Sequence, residues 1–151
     1  MSIENLSPHF TYREATYSAT ARDRKIDNNP NPAQLEAMKY TAMKMEAVRQ
    51  LLDARPLYIT SWFRSFALNV AINGAQGSQH SKGEAVDFKC PGWGSPEQIC
   101  RHLLANKTIL QYDQLILEPT WVHISFVPHG ARGNELTWRA PGHYMPGITK
   151  V

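Results

Sequence analysis

The sequence contains no apolar run long enough to cross a bilayer. Its opening residues, MSIENLSPHF, carry none of the basic, apolar and small-residue regions of a secretory signal. The expectation is a chain made in the cytoplasm, with no membrane span, that depends on another agent for any role outside it. Cysteine is scarce: Cys90 and Cys100 are the only two among 151 residues. That excludes a disulfide scaffold and leaves open whether the two pair. Runs of basic residues are also missing. The formal net charge is +3 with a pI near 9.0, a mild balance that suits an anionic polymer without selecting one. There is no basic stripe interleaved with aromatics and no zinc-finger spacing, so no nucleic-acid partner is expected. Internal repeats, linkers and low-complexity tracts are absent too.

What remains is an ordinary globular composition, 42% apolar, in a chain of the length of one domain, expected over 1–151. A core of this size buries roughly two-thirds of the surface that the unfolded chain exposes. Residues 1–30, ending in Asp27-Asn28-Asn29-Pro30, read as an irregular arm. A helix then starts, with Asn31 as N-cap, Pro32 at the first helical position and Gln34 placed for a capping box. Leu35, Met38, Ala42, Met45, Val48 and Leu52 recur at three- and four-residue steps, a stripe for a core, and Arg55-Pro56 closes the run. Leu57 to Trp62 reads as a strand, Ser65 to Ile72 as a short helix, and Asn73 to Gly83 as a glycine-rich loop. Glu84 to Phe88 is a second strand, and Ser95 caps a helix running to about Ala105. Leu115 to Glu118 and Trp121 to Phe126 form a strand pair around Pro119-Thr120, and 127–151 read as an irregular tail. The pattern predicts an α+β fold with a small, mainly antiparallel sheet and flanking helices.

Of the six histidines, two have a setting that requires explanation. His80 lies in the glycine-rich loop, and Asp87 follows in the otherwise apolar Ala85-Val86-Asp87-Phe88, where a carboxylate is costly to bury without a cation or a metal. His123 lies in a strand whose alternation sets Trp121, His123 and Ser125 on one face and the apolar Val122, Ile124 and Phe126 on the other. Two imidazoles and a carboxylate suit zinc. Three protein ligands leave a fourth position for water, as catalytic zinc sites do.

Ser78-Gln79-His80-Ser81-Lys82-Gly83-Glu84-Ala85-Val86-Asp87 resembles the S-x-H-x-x-G-x-A-x-D motif of the D-alanyl-D-alanine carboxypeptidase (peptidase M15) family of zinc peptidases. Trp121-Val122-His123 is similar to that family's second histidine motif. Thr60 to Ser65, followed by Asn69, resembles its S-x-x-R-S segment. Leu6-Ser7-Pro8-His9-Phe10-Thr11 looks like the start of a small single-domain branch found in phages and bacteria.

The resemblance implies a hedgehog/D,D-peptidase-like fold, with one zinc ion held by His80, Asp87 and His123 in a cleft on the sheet. It implies that Arg64 binds a substrate carboxylate or carbonyl, and that Ser78, Gln79 and Trp121 line the groove. Many relatives carry an acidic base three positions before the second histidine, where this chain has Thr120. In the small branch an acidic residue often ends the preceding strand, which points to Glu118, with Asp113 a second candidate. The implied activity is hydrolysis of an amide bond in a peptidoglycan stem peptide, by a D,D-peptidase or an L-alanyl-D-glutamate endopeptidase. A phage lysin, reaching the wall through a holin or in a virion and acting as a monomer, fits that activity. The alternative is a catalytically weak or inactive zinc-containing wall-binding or virion structural protein.

Overall fold

The computed structural model describes residues 5–149. Its longest element is the helix α3 (Pro32–Leu51), which begins where the capping residues put it. The Asn31 side chain accepts from the Gln34 amide and the Gln34 side chain returns to the Asn31 amide. Met38, Ala42, Met45, Val48 and Leu52 are all fully buried, so the methionine stripe is core packing. The helix stops earlier than the expected Arg55-Pro56. Asp53 and Ala54 take left-handed backbone angles, φ 56° and 55°, and turn the chain out before the proline is reached.

Before α3 the chain forms the strands β1 (Asn5–Ser7) and β2 (Phe10–Thr11), then the helices α1 (Tyr12–Thr16) and α2 (Ala19–Arg24). The expected irregular arm is therefore largely structured. Thr11 and Glu14 make a capping box on α1, and Ser18 caps α2. These elements are too short to show a hydrophobic period, although their caps are present in the sequence.

After α3 come β3 (Tyr58–Ser61), α4 (Phe66–Ala71), a 3-10 turn at Gln79–Lys82, β4 (Ala85–Lys89), α5 (Pro96–Ala105) and α6 (Lys107–Leu110). They are followed by β5 (Gln114–Leu117), β6 (Val122–Ser125), β7 (Asn134–Ala140) and β8 (His143–Pro146). The expected irregular tail thus contains two strands. Gly133 and Gly142, at φ 61° and 75°, sit in the turns around β7, so glycines that read as irregularity mark strand ends.

Six strands form one sheet in the order β3-β4-β6-β5-β7-β8. All neighbours are antiparallel except β5 and β7, which run parallel. The fold is α+β, with an open, mostly antiparallel sheet flanked by helices, as expected. Val86, Phe88, Leu115, Leu117, Val122 and Ile124 face the core with the α3 stripe. The alternate positions Asp87, Ile116 and His123 line a cleft on the opposite face. Cys90 and Cys100 are both buried and unpaired with each other. Among the described residues no helix is long and apolar enough to cross a membrane.

Candidate active site

The sheet register builds the site. Asp87 on β4 pairs directly with His123 on β6, so their side chains leave the same face as neighbours. His80 arrives from the 3-10 turn, which Ser78 caps by accepting the His80 amide. That turn is fastened to α3: the Gln34 side chain donates to the Ser81 carbonyl and the Thr41 hydroxyl to the Gly83 carbonyl. Gly83 ends the turn at φ 79°, and a Cβ there would lie 2.7 Å from the Gln34 carbonyl oxygen. No other residue fits this approach of turn to helix.

One atom each from His80, Asp87 and His123 lies within 4.8 Å of the others, so the group could hold a metal ion. His123 Nδ1 is 2.9 Å from Asp87 Oδ1, and His80 Nε2 is 3.3 Å from Asp87 Oδ2. His80 and Asp87 are buried and His123 is partly exposed towards the cleft. Burial pushes the His80 pKa down against the pull of Asp87, which favours the neutral ring. Burial pushes Asp87 up, yet the pull of His80 and His123, each in its protonated form, outweighs it and lowers the carboxylate's pKa. His80 Nδ1 lies 2.7 Å from the Trp62 carbonyl oxygen. A carbonyl only accepts, so the proton of the neutral ring sits on Nδ1, and the bare Nε2 faces a carboxylate oxygen. Two lone pairs meeting in a buried site favour a cation between them, and the donor set matches zinc.

Around this cluster lies a cleft of about 460 Å³. Its lining includes Arg64, Ser78, Gln79, Glu118, Trp121 and Tyr144. The cleft therefore brings together His80, Asp87 and His123 with Arg64, Ser78, Gln79, Glu118 and Trp121, while Asp113 is not in its lining. Arg64 is pinned on three sides: its Nε donates to the Ser61 hydroxyl and its Nη1 to Asn69 Oδ1, while Nη2 lies 3.6 Å from Asp87 Oδ2. Asn69 is held in turn by donating to the Ala75 carbonyl. The Gln79 side-chain amide donates to Glu84 and Asp113. Ser78 Oγ serves mainly as the cap of the His80 turn.

The two carboxylates weighed as a base part company. Asp113 accepts from the Arg132 guanidinium at 2.7 Å and from the Arg132 amide at 2.9 Å, besides Gln79, so its oxygens are occupied. Glu118 turns into the cleft, only 8% exposed, with Oε1 buried and unpartnered. Its backbone amide donates to the Trp121 carbonyl across the Pro119-Thr120 turn. Burial raises its pKa.

Among the cleft residues that escaped the sequence reading are Arg132 and Tyr144. Both come from the segment read as tail. The alternation in Asn134–Ala140 was the available signal for its strands.

A partly buried His–Asp–His cluster with an open side, beside a carboxylate in a cleft, defines a metallopeptidase type of centre. The chain belongs to the peptidase M15 family, whose model matches residues 8–125, and peptidases of this family are typically zinc-dependent. No curated protein matches the chain. The matched span includes His80, Asp87, His123, Arg64, Glu118 and Trp121, and it ends before β7 and β8.

Proposed function

We propose that this chain is a zinc-dependent peptidase that hydrolyses an amide bond in peptidoglycan stem peptides, as a D,D-peptidase or an L-alanyl-D-glutamate endopeptidase. The observation that carries the reading is the meeting of His80 Nε2 and His123 Nδ1 on one buried carboxylate, in the cleft that holds Glu118. When bound, zinc supplies Lewis acidity that polarises a carbonyl and makes a water acidic near neutral pH.

The chain's own residues supply the rest. Glu118 Oε1 takes a proton from the attacking water and returns it to the leaving amine. Arg64, already oriented by Ser61 and Asn69, offers its fork to a substrate carboxylate or carbonyl. Trp121 forms an apolar wall, and Ser78 and Gln79 a polar rim. The mild positive charge suits an anionic wall polymer. A lytic role at the cell wall, as in a phage lysin, follows from that substrate.

The competing reading, a wall-binding or virion protein without catalysis, draws on Thr120 standing where many relatives have an acid. The placement of Glu118 in the cleft weighs against it. Incubation with synthetic stem peptides, with and without chelator, tests the proposal by release of new amino groups. Chelator-sensitive release supports it, and no release from any stem peptide by zinc-loaded protein refutes it.

A further inference from the structure

The segment between β6 and β7 carries a second guanidinium into the cleft. Arg132 lines it together with Arg64, and lies beyond the residues 8–125 that the family model matches. The two arginines arrive from different flanks of the His80–Asp87–His123 group. Arg64 follows β3 and Arg132 precedes β7, while Asp87 and His123 stand on β4 and β6, which lie between those strands in the sheet.

Arg132 is fixed although it belongs to a connecting segment. Its backbone amide donates to Asp113 Oδ1 at 2.9 Å, and the amide of Asn134 donates to the Asp113 carbonyl. Gly133 between them, at φ 61°, lies against Lys107: a Cβ there would be 2.8 Å from Lys107 Cε. Lys107 in turn pairs with Glu135 at 2.8 Å. The guanidinium itself lies edge-on to Asp113, with Nε 3.0 Å from Oδ1 and Nη2 2.7 Å from Oδ2. Asp113 also accepts from Gln79, the residue before His80.

This ion pair is neutral in sum but not in what it presents. The Asp113 side chain is 5% exposed, whereas that of Arg132 is 55% exposed. The cation is therefore the partner that meets solvent in the cleft. Its bonds to Asp113 use Nε and Nη2. A guanidinium has five N–H donors, so the Nη1–Nη2 edge still offers two parallel donors, a match for a carboxylate. A long side chain already held in place costs less to immobilise when a ligand binds.

We propose that Arg132 is a specificity-determining residue that selects substrates carrying a second free carboxylate, remote from the group that Arg64 holds. The inference rests on the peptidase reading and deepens it. Stem peptides bear carboxylates at more than one position, so a substrate of that class can engage both arginines at once.

The test compares zinc-loaded wild type and Arg132→Gln on a synthetic stem peptide and on versions in which one carboxylate at a time is replaced by its carboxamide. Each penalty is a ratio of kcat/KM values from one preparation, so partial unfolding or zinc loss cancels. In wild type, amidation at the position that Arg132 reads should lower kcat/KM by roughly 10- to 100-fold. Arg132→Gln should abolish that penalty and keep the penalties at other positions. Arg132→Lys, which retains the charge without the parallel donors, should restore only part of it. Calorimetric titration with the same peptides should show the same pattern in Kd. If Arg132→Gln keeps every wild-type penalty, or wild type has none, the inference fails while the peptidase reading stands. If wild type binds the peptides but cuts none, the peptidase reading fails and the titration alone decides for or against Arg132. Neither cleavage nor binding defeats both.

Discussion

The ring of His80 is oriented by Trp62: its Nδ1 donates to the Trp62 carbonyl oxygen at 2.7 Å, and its Nε2 is thereby turned to Asp87. Trp62 is itself 1% exposed and packs edge-on against Phe10. The His80–Asp87–His123 group is therefore seated on the core, which links its geometry, and any metal it holds, to fold stability.

Metal should accordingly stabilise the fold. Zinc at about a hundred times its Kd adds about 2.7 kcal/mol, which in a domain of this size is roughly 5–10 °C in the unfolding midpoint. Calorimetry with zinc and with chelator measures the difference. His80→Ala should lose the zinc increment together with the metal. An unchanged wild-type midpoint on metal removal contradicts the assignment of the three ligands.

Glu118 should matter to turnover and not to metal binding. Glu118→Ala is expected to keep stoichiometric zinc and to lose roughly 10²- to 10⁴-fold in kcat. Elemental analysis and initial rates on the same preparation decide it, and full activity with full zinc removes Glu118 as base.

Gly74 abuts the side chain that holds Arg64. A Cβ at position 74 would lie 1.9 Å from Asn69 Oδ1, the atom that accepts from Arg64. Gly74→Ala should displace Asn69, loosen Arg64 and raise KM several-fold with zinc intact, at a stability cost of about 1–3 kcal/mol. An unaltered KM would separate Arg64 from substrate binding.

Long periodic or capped elements were readable in the residues: α3 with its Asn31–Gln34 box, α5 behind Ser95, and the alternation that turns His123 away from the core. The grouping of His80, Asp87 and His123 was legible because one motif carries His80 and Asp87 and a second carries His123. The hairpins at either end were not, since strands of two to four residues carry little period and the glycines and prolines around Asn134–Ala140 mask its alternation. The Trp62 carbonyl is a backbone atom with no signature of its own. Asp113 resembled a base candidate until Arg132, far along the chain, closed over it.

Asp113 should instead support stability in a pH-dependent way. Its hydrogen bonds from Arg132, together with Gln79, hold its pKa below the usual carboxylate value despite burial. A lowered folded-state pKa gives stability above the unfolded value of about 3.9 that is lost as pH falls through the folded one. Arg132 is half exposed, so screening limits the effect to about 1 kcal/mol. Urea melts of Asp113→Ala should show that loss at pH 7 and a shallower decline of stability below pH 4 than wild type. Parallel curves would deny the pair any role.

The most direct test of the central claim is mass spectrometry of muropeptides after digestion of purified peptidoglycan by the zinc-loaded protein. The account predicts new fragments from one type of amide bond, abolished by chelator and restored by zinc. An unchanged muropeptide profile from protein that demonstrably carries zinc on His80, Asp87 and His123 would contradict it.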